Sequence, residues 1–337
     1  MRVKLPTPWL AFLGDVTDPL DAKTAFGVRD WAPERLVGQW SLNGEVTLGL
    51  PSMSPAQAVE AGARGLLIGI APFGGQIPAS WVPALLEALD AGLDLISGLH
   101  QRLGDIPAIG ARARARDRAL FDVRHAPVPR LVGTGAPRSG HRVLTVGTDC
   151  ALGKKYTALA LTRALQARGV AADFRATGQT GVLIAGEGVP LDAVVADFVA
   201  GAAEQLSPAA ADDHWDLVEG QGSLFHPAYA GVSMGLLHGS QPDWFVLCHD
   251  PSRAHVDGYP DQALPSLTEA IDLHERCGRV TSPGIRCAGI SLNTAKLDDA
   301  AFEQAVADAA EETGLPVVDP LRGGVDAIVD RLLGAGG

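Results

Sequence analysis

A segment near the middle of the chain combines the residue types that bind phosphate groups. Along His141-Arg-Val-Leu-Thr-Val-Gly-Thr-Asp-Cys-Ala-Leu-Gly-Lys-Lys-Tyr-Thr157 an apolar run leads into a turn between two glycines, and a helix is predicted from Lys154. The backbone N–H groups of such a turn and the positive helix N-terminus point at one anion, and a lysine adds a full charge. The segment predicts a phosphate-binding loop contacted by Gly147, Thr148, Asp149, Cys150, Gly153, Lys154, Lys155, Tyr156 and Thr157.

The loop departs from the standard phosphate-loop pattern at two points. Five residues separate Gly147 from Gly153, one more than the standard pattern has. Lys155 stands where nucleotide hydrolases place the Ser or Thr hydroxyl that holds Mg²⁺. We therefore expect a diphosphate to be held here with no metal required. The alternative is an ordinary glycine turn between a strand and a helix.

The predicted elements after the loop explain how further polar residues are positioned. Strands are predicted over 170–176, 216–219, 243–250, 285–293 and 315–320, separated by helices over 192–205, 263–276, 298–312 and 324–333. Such alternation is typical of a mostly parallel sheet, and ligands collect at the carboxyl ends of its strands. A polar, glycine-bounded turn is predicted over 177–181, directly after the first of these strands.

The first part of the chain shows the same alternation without a phosphate loop of its own. Strands are predicted over 9–14, 65–71 and 93–97, and helices over 55–63 and 80–91. This pattern indicates a parallel, doubly wound α/β sheet, so the site candidates are the polar residues that follow its strands. These candidates are Asp15, Lys23, Thr24 and the segments 72–76 and 97–100, the second of which ends at His100.

The length of the chain predicts more than one domain. At 337 residues it exceeds the usual size of a single hydrophobic core. Prolines and glycines are frequent just before the phosphate loop, which is typical of a linker. The predicted division is a doubly wound domain over 1–125, a linker over 126–140 and a phosphate-loop domain over 141–337.

Composition restricts the possible partners. A net charge of -12 argues against nucleic acid, because binding it requires a basic face that displaces counterions. The four cysteines form no C-x-x-C pair, which suits free thiols in a reducing cytosol and gives no zinc signature. Three aspartates within the first 25 residues argue against a signal peptide or a membrane span. We expect a cytoplasmic protein that binds small molecules.

A series of motifs resembles the D-glutamate N-acetyltransferase family of the DgcN type. The resemblance covers nearly the whole chain, and the motifs occur in one order. They are Phe12-Leu-Gly-Asp15, Ala22-Lys-Thr-Ala25, Ser97-Gly-Leu-His100, Val146-Gly-Thr-Asp-Cys150, Asp173-Phe-Arg-Ala-Thr-Gly-Gln-Thr-Gly181, Glu219-Gly-Gln-Gly-Ser-Leu-Phe-His-Pro227 and Leu237-His-Gly-Ser-Gln-Pro242. The resemblance implies a Rossmann-like N-terminal domain followed by a P-loop domain with a mostly parallel sheet. It also suggests a homo-oligomer.

The activity that the resemblance implies is acetyl transfer from acetyl-coenzyme A to the amino group of D-glutamate. The product, N-acetyl-D-glutamate, would enter D-amino acid catabolism. Coenzyme A carries phosphates that stay intact during this transfer, so they need donors and positive charge but no Mg²⁺. The lysine pair of the loop agrees with acetyl-CoA as the co-substrate.

Acetyl transfer to an amine needs a base for the ammonium and a donor for the developing oxyanion. Glu219 is the first candidate for the base, unless its carboxylate only binds hydroxyls of the phosphate loop. His226 and His249 are the other base candidates, although a histidine near a strand end is commonly structural. Gln179 and Asn293 are candidate oxyanion donors, with capping of neighbouring backbone as the alternative.

Other polar residues of the second domain are candidates for binding the acceptor amino acid. The guanidinium groups of Arg175 and Arg253 suit bidentate binding of carboxylates, and ordinary ion pairs are the alternative. Thr180, Gln221 and Ser223 lie in motifs that carry the resemblance and complete the set of predicted substrate-binding residues.

Two other functions remain open at this point. The loop spacing and the Glu219-Gly pair also resemble dethiobiotin synthetases, so an ATP-dependent carboxylate-activating ligase or kinase is the first alternative. Those enzymes keep a Thr where this chain has Lys155, which disfavours ATP chemistry. A non-catalytic nucleotide-binding switch is the second alternative, and polar groups at several strand ends count against it.

Overall fold

Two parallel sheets organise the chain, each in its own compact unit. The computed structural model describes residues 5–70, 72, 75–125 and 128–334. The first unit comprises residues 1–127 together with Gln179–Ala193, and the second comprises Val128–Gly178 together with Val194–Gly337. Each unit is built from strands that alternate with helices, which confirms the predicted α/β class.

The N-terminal part of the chain forms a five-stranded parallel sheet. Its strands are β1 (Trp9–Gly14), β2 (Leu36–Ser41), β3 (Gly65–Ile68), β4 (Asp94–Ser97) and β5 (Leu120–Asp122), and its helices are α1 (Lys23–Trp31), α2 (Pro55–Glu60), α3 (Val82–Ala91) and α4 (Pro107–Ala115). The strand order is β2-β1-β3-β4-β5. This order has its switch point between β1 and β3, where ligands of doubly wound sheets bind. Every residue of β1 is buried, as expected for a central parallel strand.

The C-terminal part forms a six-stranded parallel sheet and a short antiparallel hairpin. Its strands are β6 (His141–Gly147), β7 (Ala172–Arg175), β8 (Trp215–Val218), β9 (Trp244–His249), the hairpin strands β10 (His255–Val256) and β11 (Tyr259–Ala263), β12 (Arg286–Leu292) and β13 (Val317–Val318). Its helices are α5 (Lys154–Ala167), α7 (Val199–Leu206), α8 (Ala230–Ser240), α9 (Leu267–Gly278), α10 (Asp299–Thr313) and α11 (Asp326–Leu332), whereas α6 (Gln179–Ala185) follows β7 in sequence but belongs to the first unit. The order β13-β12-β9-β6-β8-β7 places β6 and its glycine loop inside the sheet, between β9 and β8.

Short 3₁₀ helices connect several of these elements. They span Pro19–Ala22, Pro33–Arg35, Ala79–Trp81, Leu103–Asp105, Val123–His125, Leu191–Ala193 and Ala196–Phe198. Two of them replace the start of the helix predicted over 192–205, whose α-helical part begins only at Val199. Within the described ranges, no helix is long and apolar enough to cross a bilayer.

The segment Gln179–Ala193 follows β7 in sequence but folds with the first unit. Gln179–Ala193 carries α6, and the Thr180 hydroxyl lies 3.1 Å from the Thr24 hydroxyl of α1. Near the end of the segment, Asp192 forms an ion pair with Arg124. The predicted turn over 177–181 is therefore wrong from Gln179 onward. A buried apolar run over 182–184 gives this stretch a reason to be helical.

Several other elements differ from the prediction. Strands β2 and β5, helix α8 and the β10–β11 hairpin were not predicted from the sequence. The strand predicted over 65–71 ends at Ile68, and Ala71 lies outside the described residues. The described residues also exclude Phe73 and Gly74 of the candidate segment 72–76. They exclude three parts of the predicted domain and linker ranges as well, namely 1–4, 126–127 and 335–337.

Candidate functional site

The glycine loop after β6 has the backbone that a phosphate-binding turn requires. Gly153 has a φ of 99° and Ala151 a φ of 55°, both in the left-handed region. A Cβ added at Gly147 would lie 2.9 Å from the Asp149 carbonyl oxygen and 3.1 Å from the Lys154 Nζ. Only glycine permits this close approach at the first position of the loop.

Lys154 begins α5 and turns its ammonium back onto the loop. Its side chain is buried, and Nζ donates to the backbone oxygen of Asp149 at 2.7 Å. Burial lowers the pKa of the Lys154 ammonium, because the charged form loses hydration. Gly220 makes room for its stem, since a Cβ there would lie 2.9 Å from the Lys154 Cδ. The charge of Lys154 is thus fixed at the loop by packing.

The Asp149 carboxylate ties the loop to the segment that follows β9. It accepts hydrogen bonds from the backbone N–H of Cys150 at 2.7 Å and from that of Asp257 at 2.8 Å. Arg253 forms an ion pair with it at 2.6 Å and also donates to the Cys150 carbonyl at 3.0 Å. This pairing favours the ion-pair interpretation of Arg253 that the sequence left open.

A histidine contacts the loop from β9. The Thr148 hydroxyl lies 3.0 Å from Nδ1 of His249, and burial lowers the pKa of this imidazole, which favours its neutral form. Asn293 donates its backbone N–H to the His249 carbonyl at 2.8 Å. Its side-chain oxygen accepts from the N–H of Ala295 at 3.4 Å, which agrees with a capping role.

The first turn of α5 combines a second lysine with a buried hydroxyl. The Nζ of Lys155 lies 5.1 Å from the centre of the Tyr156 ring. The Thr157 hydroxyl donates to the Gly153 carbonyl at 3.2 Å and lies 2.8 Å from the Ser291 hydroxyl. Thr157 therefore stabilises the start of the helix and connects it to β12.

Glu219 follows β8 and has a buried carboxylate held by backbone donors. Its Oε2 accepts the N–H of Thr177 at 2.9 Å and that of Gly178 at 3.0 Å. Burial raises the pKa of the Glu219 carboxyl, and the positive charge of Lys155 opposes this shift. Gln221 extends the network, since its Nε2 donates to the Thr177 hydroxyl at 3.0 Å. A carboxyl with a raised pKa and a fixed orientation is suited to accept a proton.

Both ring nitrogens of His226 are engaged. Nδ1 accepts the N–H of Ala228 at 3.2 Å, so Nε2 carries the proton and donates to the Asp257 carbonyl at 3.2 Å. One of these nitrogens lies within 4.8 Å of the Cys150 Sγ and of an Asp149 carboxylate oxygen. The Asp149 carboxylate and the His226 ring already have hydrogen-bond partners within the protein. The geometry favours a structural role for His226.

Two further substrate-binding candidates also make internal contacts. Arg175 forms an ion pair with the buried Asp216 at 2.7 Å and another with Asp173 at 3.2 Å. Ser223 donates its hydroxyl to the carbonyl of Gly147 at 2.8 Å. Both contacts hold strands and loops of the second unit in place.

In the first unit, three predicted residues come together at the start of α6. Thr180 and Thr24 share a buried hydrogen bond, and Gln179 packs against the loop after β4. A Cβ added at Gly98 would lie 2.2 Å from Oε1 and 3.0 Å from Cβ of Gln179, so a side chain at Gly98 would displace Gln179.

Asp15 and Lys23 lie close in sequence but have different surroundings. Asp15 follows β1 at the switch point, and its carboxylate accepts from Trp81 Nε1 at 2.7 Å and from the Ser80 hydroxyl at 3.3 Å. Lys23 is the exposed first residue of α1.

A residue that was not predicted from the sequence contacts the loop after β4. Arg124 is buried, donates its Nε to the Gly98 carbonyl at 3.0 Å and pairs with Asp192. The pKa of the His100 imidazole is lowered by burial and by the positive charge of Arg124. Had β5 been predicted, the rule of polar residues after strands would have found Arg124.

The chain matches two known family domains, one for each sheet. Residues 34–126 match the Rossmann-like N-terminal domain of the domain-of-unknown-function family DUF1611, and residues 131–329 match its P-loop C-terminal domain. The chain belongs to the DUF1611 family. Membership confirms the predicted Rossmann-like domain followed by a P-loop domain.

Members of this family that resemble the chain over its full length include proteins with an assigned activity. A D-glutamate N-acetyltransferase of Tritonibacter scottomollicae is 51% identical over 97% of this chain and 99% of its own length. A D-glutamate N-acetyltransferase of a Pseudoalteromonas species is 43% identical over 98% of this chain and 100% of its own. The crystal structure of a DUF1611 protein from Anabaena variabilis superposes with a TM-score of 0.89 at 37% identity, covering 97% of this chain and 99% of that one. These matches confirm the family resemblance inferred from the motifs.

Proposed function

We propose that this protein is a D-glutamate N-acetyltransferase, which moves the acetyl group of acetyl-CoA to the amino group of D-glutamate. The observation that carries the proposal is the end-to-end match to two relatives with that name. The loop agrees with it, because coenzyme A brings a diphosphate that stays intact. Such a ligand needs fixed donors and positive charge, as at Lys154 and Lys155.

Glu219 is the residue that we assign as the general base. Its carboxylate takes one proton from the ammonium of D-glutamate, and the free amine attacks the carbonyl carbon of the thioester. The tetrahedral intermediate collapses with cleavage of the C–S bond, and the second nitrogen proton passes to the leaving sulfur. A raised pKa supports this role, because it brings the carboxylate closer to the basicity that the first step needs.

The remaining predicted roles are part of the proposal. His249 is neutral and fixed by Thr148, so it can exchange a proton near the loop. Gln179 and Asn293 stay the predicted oxyanion donors. Among the predicted acceptor-binding residues, Asp15, Lys23 and His100 are exposed and so can contact a ligand.

Calorimetric titration of acetyl-CoA against Lys154→Met tests the phosphate site. Methionine keeps the apolar stem beside Gly220 and removes the ammonium. Loss of a charge-assisted contact should weaken binding by about 1.5–3 kcal/mol. Lys23→Met removes the same charge from an exposed position and should leave acetyl-CoA binding unchanged while raising the KM for D-glutamate.

Product analysis by mass spectrometry tests the reaction itself. The protein incubated with acetyl-CoA and D-glutamate should form N-acetyl-D-glutamate and free coenzyme A in equal amounts. Phosphate release from Mg-ATP in the presence of a carboxylate acceptor, without acetylated product, would support the ligase or kinase alternative. Nucleotide binding without any product would support the switch.

We also propose that the protein is a cytoplasmic homo-oligomer. Four free cysteines support a reducing compartment. Light scattering coupled to size-exclusion chromatography tests the assembly, and a monomeric mass at micromolar concentration would contradict it.

A further inference from the structure

Two exposed tyrosines surround the buried imidazole of His226, and the reaction steps above use neither of them. The Tyr229 ring lies against the His226 ring with centres 4.5 Å apart and planes at 34°. The Tyr259 ring meets the same imidazole edge-on, at 5.2 Å and 87°. Tyr229 is 52% exposed and Tyr259 is 38% exposed, whereas His226 is 4% exposed. We call Tyr229 and Tyr259 the tyrosine surface.

Hydrogen bonds fix the tyrosine surface to the phosphate loop. Asp257, in the turn between β10 and β11, donates its N–H to the Asp149 carboxylate at 2.8 Å and accepts from His226 at 3.2 Å. The hairpin that carries Tyr259 is also held by Gln262, whose Nε2 donates to the Phe225 carbonyl at 2.8 Å. A ring nitrogen of His226 lies within 4.8 Å of the Cys150 Sγ, so the tyrosine surface lies next to the phosphate loop. The rings are therefore held in place beside the loop.

Exposed aromatic rings beside a phosphate site suit a nucleobase. Every base presents a π-face that stacks on an aromatic side chain, and the contact excludes water from both. In coenzyme A the adenine is one ribose away from the diphosphate, whereas the thioester is at the far end of the pantetheine arm. A surface adjacent to the loop is thus within reach of the adenine.

We propose that the tyrosine surface is the adenine-binding subsite of the coenzyme, with the base stacked on Tyr229 and bordered by Tyr259. This inference rests on the proposed function, because it takes the diphosphate at the glycine loop to be that of coenzyme A. His226 then acts as a positioning residue, because its ring lies against the Tyr229 ring while about half of the Tyr229 side chain stays exposed for the adenine.

Titration with three ligands tests the subsite: coenzyme A, adenosine 3′,5′-bisphosphate and 4′-phosphopantetheine. Tyr229→Ala should weaken binding of the first two by a similar factor, about 5- to 150-fold, the range for one base stacked on one ring. Its affinity for phosphopantetheine should not change. Tyr229→Phe keeps the ring and should bind all three ligands as the wild type does.

Val280→Ala is the matched control, because it also removes exposed apolar surface. Val280 is 71% exposed and precedes β12, at the amino ends of the parallel strands, whereas the loop follows the carboxyl end of β6. Thermal unfolding of each variant verifies that it is folded. Tyr259→Ala is the second variant, and a smaller loss with the same ligand pattern is expected.

Each other outcome overturns the inference. A loss for phosphopantetheine alone would place the arm on the tyrosines, and an equal loss for all three ligands would indicate a distorted loop. Unchanged binding in both alanine variants, with a wild type that acetylates D-glutamate, would overturn the subsite and leave the proposed function standing. A wild type that binds none of the ligands would overturn both.

Discussion

The backbone N–H of Thr177 donates to the Glu219 carboxylate at 2.9 Å, from the end of β7 to the end of β8. With the N–H of Gly178 at 3.0 Å, it fixes one oxygen of a carboxylate that is almost completely buried. The backbone thus fixes the direction in which the other oxygen is presented, and this orientation is what a general base needs before the substrate arrives.

Glu219→Gln should lower kcat by about 10²–10⁴-fold, the usual contribution of a general base. The amide oxygen can still accept both N–H groups, so folding and the KM for acetyl-CoA should change little. Steady-state kinetics with each substrate varied in turn measures both constants. A kcat within a few-fold of the wild type would assign the proton transfer to another residue.

The pH–rate profile should report the charge of Lys155. A general base works when deprotonated, so kcat/KM rises with pH through the pKa of Glu219. Burial raises this pKa, and the positive charge of Lys155 reduces the shift. Lys155→Met should therefore move this limb to higher pH, and Lys155→Arg, which keeps the charge, should not. A limb that is the same in both variants would belong to another group, such as the substrate amine.

Activity should survive exhaustive chelation. Lys155 occupies the place of the hydroxyl that holds Mg²⁺ in nucleotide hydrolases, and acetyl transfer leaves no phosphoryl group to stabilise. Initial rates are compared before and after dialysis against EDTA, with Zn²⁺ and Mg²⁺ added back separately. Abolished turnover that either ion restores would contradict the expectation.

The free energy of unfolding should decrease in mild acid because of His274. Burial lowers the pKa of this imidazole to about 4, whereas the ordinary value of a histidine is about 6.5. The unfolded chain takes up the proton first, so this contribution is present above pH 6.5 and is lost as the pH falls through 4; it amounts to roughly 3 kcal/mol. Urea denaturation of the wild type and of His274→Asn at several pH values isolates it. Identical pH slopes in the two proteins would contradict this assignment.

The sequence predicted the elements whose residue types are themselves informative. The strand, glycines and lysines over 141–157 predicted β6, the loop and α5 almost to the residue. Buried apolar runs predicted β1, β9 and β12 in the same way. These segments are recognisable because a central parallel strand must be apolar on both faces.

The contacts between distant residues could not be predicted in this way. Arg253 is paired with Asp149, and Arg175 with Asp216, across long stretches of chain, and no local pattern indicates a partner so far away. The β10–β11 hairpin is mostly exposed and polar, so it lacks the alternation that identifies a strand. The start of α6 was hidden by Gly181, which is more typical of a turn.

The segment Gln179–Ala193 means that neither unit is encoded by one continuous piece of the gene. A fragment ending at residue 127 would lack α6, leaving Thr24 without Thr180 and Arg124 without Asp192. A fragment beginning at 128 would carry the apolar stretch 182–184 without the unit that covers it. In a chimera joined at 126–140, one parent's α6 would have to fit the other parent's first sheet. The two halves of the chain must therefore be expressed together, and a recombinant must take both from the same parent.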